Sequence, residues 1–209
     1  MIHIITAENR HLFRHALMEM HRQRKAVFID ELGWRLNGET GIEIDAYDAE
    51  DVIYLIEADA PRSAVTGSAR LLPTGRPHLL SEAFADLCDE PAPCGPEVWE
   101  ATRFCPSPDT PRGAARQALL MRMIGAIMET ALLFGIDKVT FVASAALSPL
   151  SERAGWDVRA LGAAKRKGRE KVRAYLATIN AEGLKRVRER IGAAGPLTRF
   201  IPGALASAA

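Results

Sequence analysis

The sequence predicts an α/β or α+β fold, a mixed and twisted sheet with helices on both faces, on three observations. An early helical pattern gives way to a meander of apolar runs with strand character. The second half alternates strand, helix and strand. Between these halves Leu119, Leu120, Met123, Ile124, Ile127, Met128, Ala131 and Leu132 form a wide apolar stripe, the mark of a helix laid against a sheet.

In order, Ile2 to Thr6 is a short β-type run. Leu12, Phe13, Ala16, Leu17 and Met20 recur at helical spacing towards Val27, with Asn9 placed as N-cap and Gly33 as stop. Residues 33–51 carry glycines and acids with few apolar positions and read as a long loop, a length that in compact domains often has a functional reason. Val52 to Ala58 is a buried-type strand, Pro61–Arg62–Ser63 a turn, and Val65 to Leu72 the antiparallel partner. A short helix over 81–87, a loop over 91–96, a strand over 98–104 and a proline-rich loop over 106–113 follow. Ala114 to Phe134 is the long helix, closed by Gly135. Then come a strand over 138–143, a helix over 147–154, a strand over 156–161, a last strand over 172–180 and a closing helix over 182–191. The small residues from Pro202 to Ala209 read as a frayed tail.

Composition narrows the function classes. A chain of 209 residues that is 48% hydrophobic and 25% charged can bury a sizeable core. With no internal repeat and no linker, residues 1–209 read as a single domain. A formal net charge of +1 gives no overall field for nucleic acid or membrane, so neither is expected as a partner. Locally, Lys165, Arg166, Lys167, Arg169 and Lys171 form a basic run whose ordinary reading is a solvated loop. No apolar run approaches the ~18 residues of a membrane-crossing helix, and the N-terminus lacks a signal-peptide pattern. The cysteines Cys88, Cys94 and Cys105 are odd in number and match no common zinc spacing, so no metal is expected and a reducing cytoplasm is the natural setting.

Several charges sit in apolar surroundings. Arg24 lies near the end of the first helix, four residues before Phe28, with Trp34 in the loop beyond. Asp45 and Asp48 lie three apart in that loop. Arg70 falls between Ala69 and Leu71 inside a strand, and Glu100 and Arg103 flank an apolar strand segment. Singly each has an ordinary role: a solvent-facing strand arginine, turn-forming aspartates, edge charges, a core tryptophan. Together they form a set of acids and arginines that can neutralise one another if clustered, and paired buried charges shift pKa values and mark candidate sites. Carboxylates suit an ammonium or sulfonium ligand, and a partly desolvated glutamate suits a general base.

These residues carry a resemblance. Arg24-Lys25-Ala26-Val27-Phe28-Ile29-Asp30-Glu31-Leu32-Gly33-Trp34, Glu43-Ile44-Asp45-Ala46-Tyr47-Asp48, Gly67-Ser68-Ala69-Arg70-Leu71-Leu72-Pro73-Thr74, Leu80-Ser81-Glu82-Ala83-Phe84 and Trp99-Glu100-Ala101-Thr102-Arg103-Phe104 resemble the signature segments of acyl-homoserine-lactone synthases. The match runs in continuous order over roughly residues 1–160, and no signature position departs from the pattern.

The resemblance implies an acetyltransferase-like three-layer fold with a twisted mixed sheet flanked by helices. It implies transfer of an acyl chain from acyl-carrier protein, or in some branches acyl-CoA, to the amine of S-adenosylmethionine. Lactone closure then releases methylthioadenosine and yields a quorum-sensing signal. S-adenosylmethionine is a substrate there, so no separate cofactor is expected. By the same carry-over Glu100, Arg70 and Asp48 are the catalytic set, with Glu100 the general base. Arg24, Phe28, Trp34, Asp45, Arg103 and Phe104 would hold S-adenosylmethionine. Asp45 would meet its ammonium group, Arg24 and Arg103 would meet its carboxylate or hold that constellation together, the two rings would meet its adenine and sulfonium, and the Phe104 amide an oxyanion. Ser68, Leu119, Met123, Ile127, Phe141, Val142, Ala143 and Ser144 would border the acyl chain. Ser144 falls where a hydroxyl favours a 3-oxo group, although it equally suits a strand end. The basic run at 165–171 would dock the acidic carrier.

Two other readings share these residues. One is an acyl-CoA transferase acting on another amine, for which Pro111-Arg112-Gly113-Ala114-Ala115-Arg116 is a poor pyrophosphate loop. The other is a catalytically inert binding module, against which intact Glu100 and Arg70 count.

Overall fold

A computed structural model of the chain describes residues 1–38, 40–145 and 147–203. Its strands are β1 (Ile2–Ile5), β2 (Ile53–Glu57), β3 (Gly67–Pro73), β4 (Val98–Pro106), β5 (Lys138–Ser144), β6 (Asp157–Ala160), β7 (Lys165–Lys167), β8 (Glu170–Thr178) and β9 (Thr198–Phe200). Its helices are α1 (Arg14–Arg24), α2 (Leu79–Glu82), α3 (Ala114–Leu133), α4 (Ser148–Glu152) and α5 (Ala181–Ile191). All strands join one mixed sheet in the order β6-β8-β5-β4-β3-β2-β1-β9, with β7 hairpinned onto β8. The β4–β5 and β1–β9 pairs are parallel and the rest antiparallel.

The layers follow from strand alternation. Ile4, Leu55, Ala69, Leu71, Val139 and Tyr175 face α3 and α5 in the largest core cluster. Ile5, Tyr54, Ile56 and Leu72 point the other way, onto Phe13, Ala16 and Met20 of the N-terminal helix. Further along that second face, Val172 and Ala174 pack on Leu80 and Leu87. Helices therefore cover both faces, as the apolar patterns predicted.

Several local expectations need correction. The first helix is not continuous: a 3₁₀ turn (Arg10–Phe13) leads into α1, and α1 runs into a π-helical turn (Lys25–Glu31). Periodicity alone does not register one extra residue per turn. Asn9 does not cap that helix; its amide accepts from Thr6 N (2.8 Å) and donates to Ile4 O and Ile201 O (3.0 and 2.9 Å), stitching β1 to the chain's end. The helix placed over 81–87 begins at Leu79 and divides into α2 and a 3₁₀ turn (Ala85–Leu87). The strand over 172–180 starts at Glu170 and is not the last, because β9 adds beside β1. The basic run, read as a loop, is a hairpin of β7, a two-residue turn at Gly168 (φ 59°) and the start of β8, which holds Lys171. Of the tail, 204–209 lies outside the described residues.

Two irregularities create the site. On β4, Arg103 and Phe104 stand opposite the single residue Ala69 of β3, a bulge in which Arg103 takes φ 53°. It is the only residue other than glycine with positive φ among the described residues. Such a bulge bends its strand and re-aims side chains. The parallel β4–β5 pairing ends at Ala101↔Phe141, just before the bulge, so the two strands splay and the sheet opens.

Candidate active site

The open sheet leads into a cavity of about 420 Å³. Glu100, Thr102, Arg103 and Phe104 line it from β4, Val142 and Ser144 from β5, and Phe28 and Trp34 from the segment after α1. Phe28 and Trp34 meet because Gly33 (φ 69°) ends the π-helical turn and lets Trp34 N donate back to Phe28 O at 2.8 Å. Their ring centroids then lie 4.8 Å apart. The Arg103 guanidinium sits over both rings, at 5.4 and 5.8 Å.

Behind the Arg103 wall lies a charge network. Arg24 donates to Glu43 (Nε, 2.5 Å) and with two nitrogens to Asp48 (2.8 and 2.9 Å). Arg70 donates to Asp48 (2.7 Å), to Asp45 (2.6 and 3.1 Å) and to the Thr102 hydroxyl (3.0 Å). Arg103 reaches Glu43 (3.0 Å) and Asp45 (2.7 Å). Three arginines thus meet three carboxylates, which is the condition for keeping such charges out of water. Burial alone would push the Asp48 carboxyl up. The hydrogen bond and charge of Arg24, joined by Arg70, override it and hold it well below the usual carboxylate range. The same pairing holds Arg24 and Arg70 above the ordinary arginine range despite the opposing effect of burial.

Glu100 differs from these acids. It is fully buried, yet only Oε2 is engaged, accepting from Leu80 N at 3.2 Å at the start of α2. Oε1 has no hydrogen-bond partner among the described residues. Burial pushes its carboxyl up to about 7, against the opposing pull of the Leu80 and Leu79 amides and of Arg70 and Arg103. A carboxylate that exchanges protons near neutral pH at a cavity wall is suited to general-base work.

The structure sorts the sequence-derived site residues. Phe28, Trp34, Glu100, Arg103 and Phe104 border the cavity; Arg24, Asp45, Asp48 and Arg70 do not. Arg24 is placed for the second of its two expected roles. It is 0% exposed and its guanidinium nitrogens are taken by Glu43 and Asp48, so it holds the network together rather than contacting a ligand. Sequence reasoning passed over Glu43, the carboxylate that joins Arg24 to Arg103. Its signal was an acid two residues before Asp45 in the same loop.

A smaller cavity of about 90 Å³ adjoins the larger one between β5 and α3, lined by Met123, Ile127, Phe141, Val142 and Ala143. Ser68 and Leu119 are corrections. Ser68 shares the sheet face of Arg70, whereas the cavity lies on the Ala69 face; Leu119 points at Gly67, and Leu120 lines the cavity instead. Leu147, Ser151 and Trp156 also line it and were missed, because chain segments distant in sequence bring them there.

In the basic hairpin, the Lys165 ammonium donates to Asp86 O and the Lys167 ammonium to the Asp86 carboxylate at 2.7 Å. Arg166, Arg169 and Lys171 remain exposed.

A splayed mixed sheet flanked by helices, with a buried carboxylate at the opening, defines an acetyltransferase-like fold. A putative N-acetyltransferase from Lactobacillus plantarum shares that fold at a TM-score of 0.56 and 16% identity, covering 86% of this chain and 99% of that one. The finer assignment comes from the autoinducer synthase family model, which matches residues 8–187: the chain belongs to this family and is an acyltransferase with acyl-homoserine-lactone synthase relatives. An acyl-homoserine-lactone synthase of Rhizobium etli is 35% identical over 158 residues, 75% of this chain and 74% of the relative. The structure of a CoA-dependent acyl-homoserine lactone synthase, BjaI, with SAM and isopentyl-CoA, superposes at a TM-score of 0.87 and 31% identity, over 98% of this chain and 95% of that one.

Proposed function

We propose that the chain transfers an acyl group from acyl-carrier protein to the amine of S-adenosylmethionine and then closes the lactone. The observation that carries this reading is Glu100, a buried base with one free oxygen beside a cavity that holds two aromatic rings and an arginine. Phe28 and Trp34 receive the adenine and sulfonium, and Arg103 the carboxylate. Glu100 removes a proton from the ammonium. The freed amine attacks the thioester carbonyl, aided by the Phe104 amide, and the thioester C–S bond breaks; the nitrogen's surplus proton passes to the departing thiolate, which leaves as the thiol. The carboxylate then attacks the γ-carbon. The C–S bond breaks, its electron pair neutralises the sulfonium, and methylthioadenosine departs. Asp45, Asp48, Arg70, Arg24 and Glu43 fix Arg103 and Thr102 from behind. The cytoplasmic setting belongs to the same proposal, in keeping with the free thiols of Cys88, Cys94 and Cys105. Incubating the purified protein with S-adenosylmethionine and an acyl thioester tests it, by mass spectrometry for acyl-lactone and methylthioadenosine together. Methylthioadenosine without acyl-lactone, or neither product, rejects the reading.

The exposed Arg166, Arg169 and Lys171 support a carrier donor, since carrier proteins are acidic. Likeness to a CoA-dependent synthase supports acyl-CoA as a second reading. Arg166→Glu with Lys171→Glu is expected to raise KM for the carrier severalfold, with the native reaction itself weakened as salt shortens the Debye length below ~10 Å. KM for S-adenosylmethionine stays unchanged. Equal use of the carrier by the variant removes this docking site, and native preference for matched acyl-CoA selects the second reading.

Ser144 borders the larger cavity near its junction with the inner one. Ser144→Val is expected to shift products from C3-substituted to unsubstituted chains, read as a product ratio by mass spectrometry. An unchanged ratio leaves Ser144 as a strand terminus.

A further inference from the structure

We infer that Trp156 is the floor of the acyl channel and limits the enzyme to short acyl chains, an inference that rests on the acyl transfer proposed above. The inner cavity shares Ala101, Thr102, Arg103, Phe104, Val142 and Leu147 with the larger one, so the two adjoin across that wall. Along α3 its lining runs from Leu120 to Ile127, a depth of roughly 10 Å at the helical rise. Ile127 lies at the end of this lining farthest from Gly113, Arg116 and Gln117 of the larger cavity, and Phe141 and Trp156 line the same inner cavity.

The aromatic end is fixed, not soft. Trp156 is 6% exposed, and its indole N–H donates to Ser151 O at 2.7 Å. Turning the ring would leave that buried donor without an acceptor. Phe141 stacks on Trp156 with centroids 5.2 Å apart and planes 22° apart, and stacks on Tyr175 at 5.2 Å and 15°. The Tyr175 hydroxyl donates to Glu152 at 2.8 Å. Both outer rings of this three-ring stack are therefore tied to α4, one to Ser151 and the other to Glu152. A chain that outgrows the channel meets a braced wall. Each methylene that overruns such a wall changes kcat/KM by roughly 10–200-fold.

The test measures kcat/KM for acyl donors differing only in chain length, offered both as acyl-CoA and as carrier thioesters. For the native enzyme a steep fall beyond a short optimum is expected. Trp156→Leu should raise kcat/KM for a donor two carbons past that optimum by about 10-fold or more, with KM for S-adenosylmethionine unchanged. Ile127→Ala opens the same end from α3 and serves if Trp156→Leu does not fold. A native optimum at long chains, or folded variants that keep the native length profile, overturns the channel floor while leaving the acyl transfer intact. Absence of acyl-lactone from the native protein with every donor overturns the acyl transfer and this inference with it.

Discussion

Glu100→Gln is expected to lower turnover by roughly 10²-fold or more, the usual contribution of a general base, while S-adenosylmethionine binding is largely kept. Glutamine preserves the shape and keeps an oxygen for the Leu80 amide, but it cannot take a proton. Native kcat/KM should rise with pH through an apparent value near 7, where burial has pushed this carboxyl. In the variant that rise should disappear. A separate readout follows from linkage. A carboxyl raised in the folded state binds more protons there than in the unfolded chain, so its contribution to stability is full below the ordinary glutamate pKa. That contribution is lost as pH rises through the folded value of about 7. Glu100→Gln should therefore flatten the decline in stability across that window. Steady-state kinetics and denaturation against pH measure both effects. Near-native turnover in the variant removes Glu100 from the role of base.

Asp48→Ala is expected to destabilise the fold by about 3–5 kcal/mol, the usual loss when one partner of a buried charge pair is removed. Asp48 accepts from Arg24, Arg70 and the Tyr54 hydroxyl (2.8 Å), and its side chain is 3% exposed. Its loss leaves two buried arginines short of a partner. Because its folded pKa is held down, its stabilisation is present above the ordinary aspartate value and is lost as pH falls below it. The variant should lose less stability than the native protein below about pH 4. Combining it with Arg24→Met should give less than the sum of the single losses, as expected for residues in contact. Denaturant unfolding decides the matter; a single-variant loss below about 1 kcal/mol would show that the network contributes little net stability.

The linear sequence by itself determined the layers and the chemical inventory. The short apolar runs around residues 53–57 and 67–73 and the apolar stripe on α3 are local properties, and they placed the sheet and its long covering helix. The anomalous charges, Arg24, Asp48, Arg70, Glu100 and Arg103, were legible because a charge inside an apolar run must be paired somewhere. Which partners they take was not legible. Whether Arg24 faces a ligand or locks Glu43 to Asp48 depends on where a 19-residue separation folds back in space. That is a question of loop path, not of composition. The bulge at Arg103 was equally hidden. An extra residue on one strand is visible only against the strand that pairs with it, and it decides both where the sheet opens and which way the guanidinium points. The acyl channel was half legible. Its α3 and β5 walls came from the family resemblance, but Ser68 fell on the wrong sheet face, since register across neighbouring strands decides which face meets the cavity. The floor at Trp156 exists only because α4 and β6 pack back against β5 and β8, a contact that no local pattern announces.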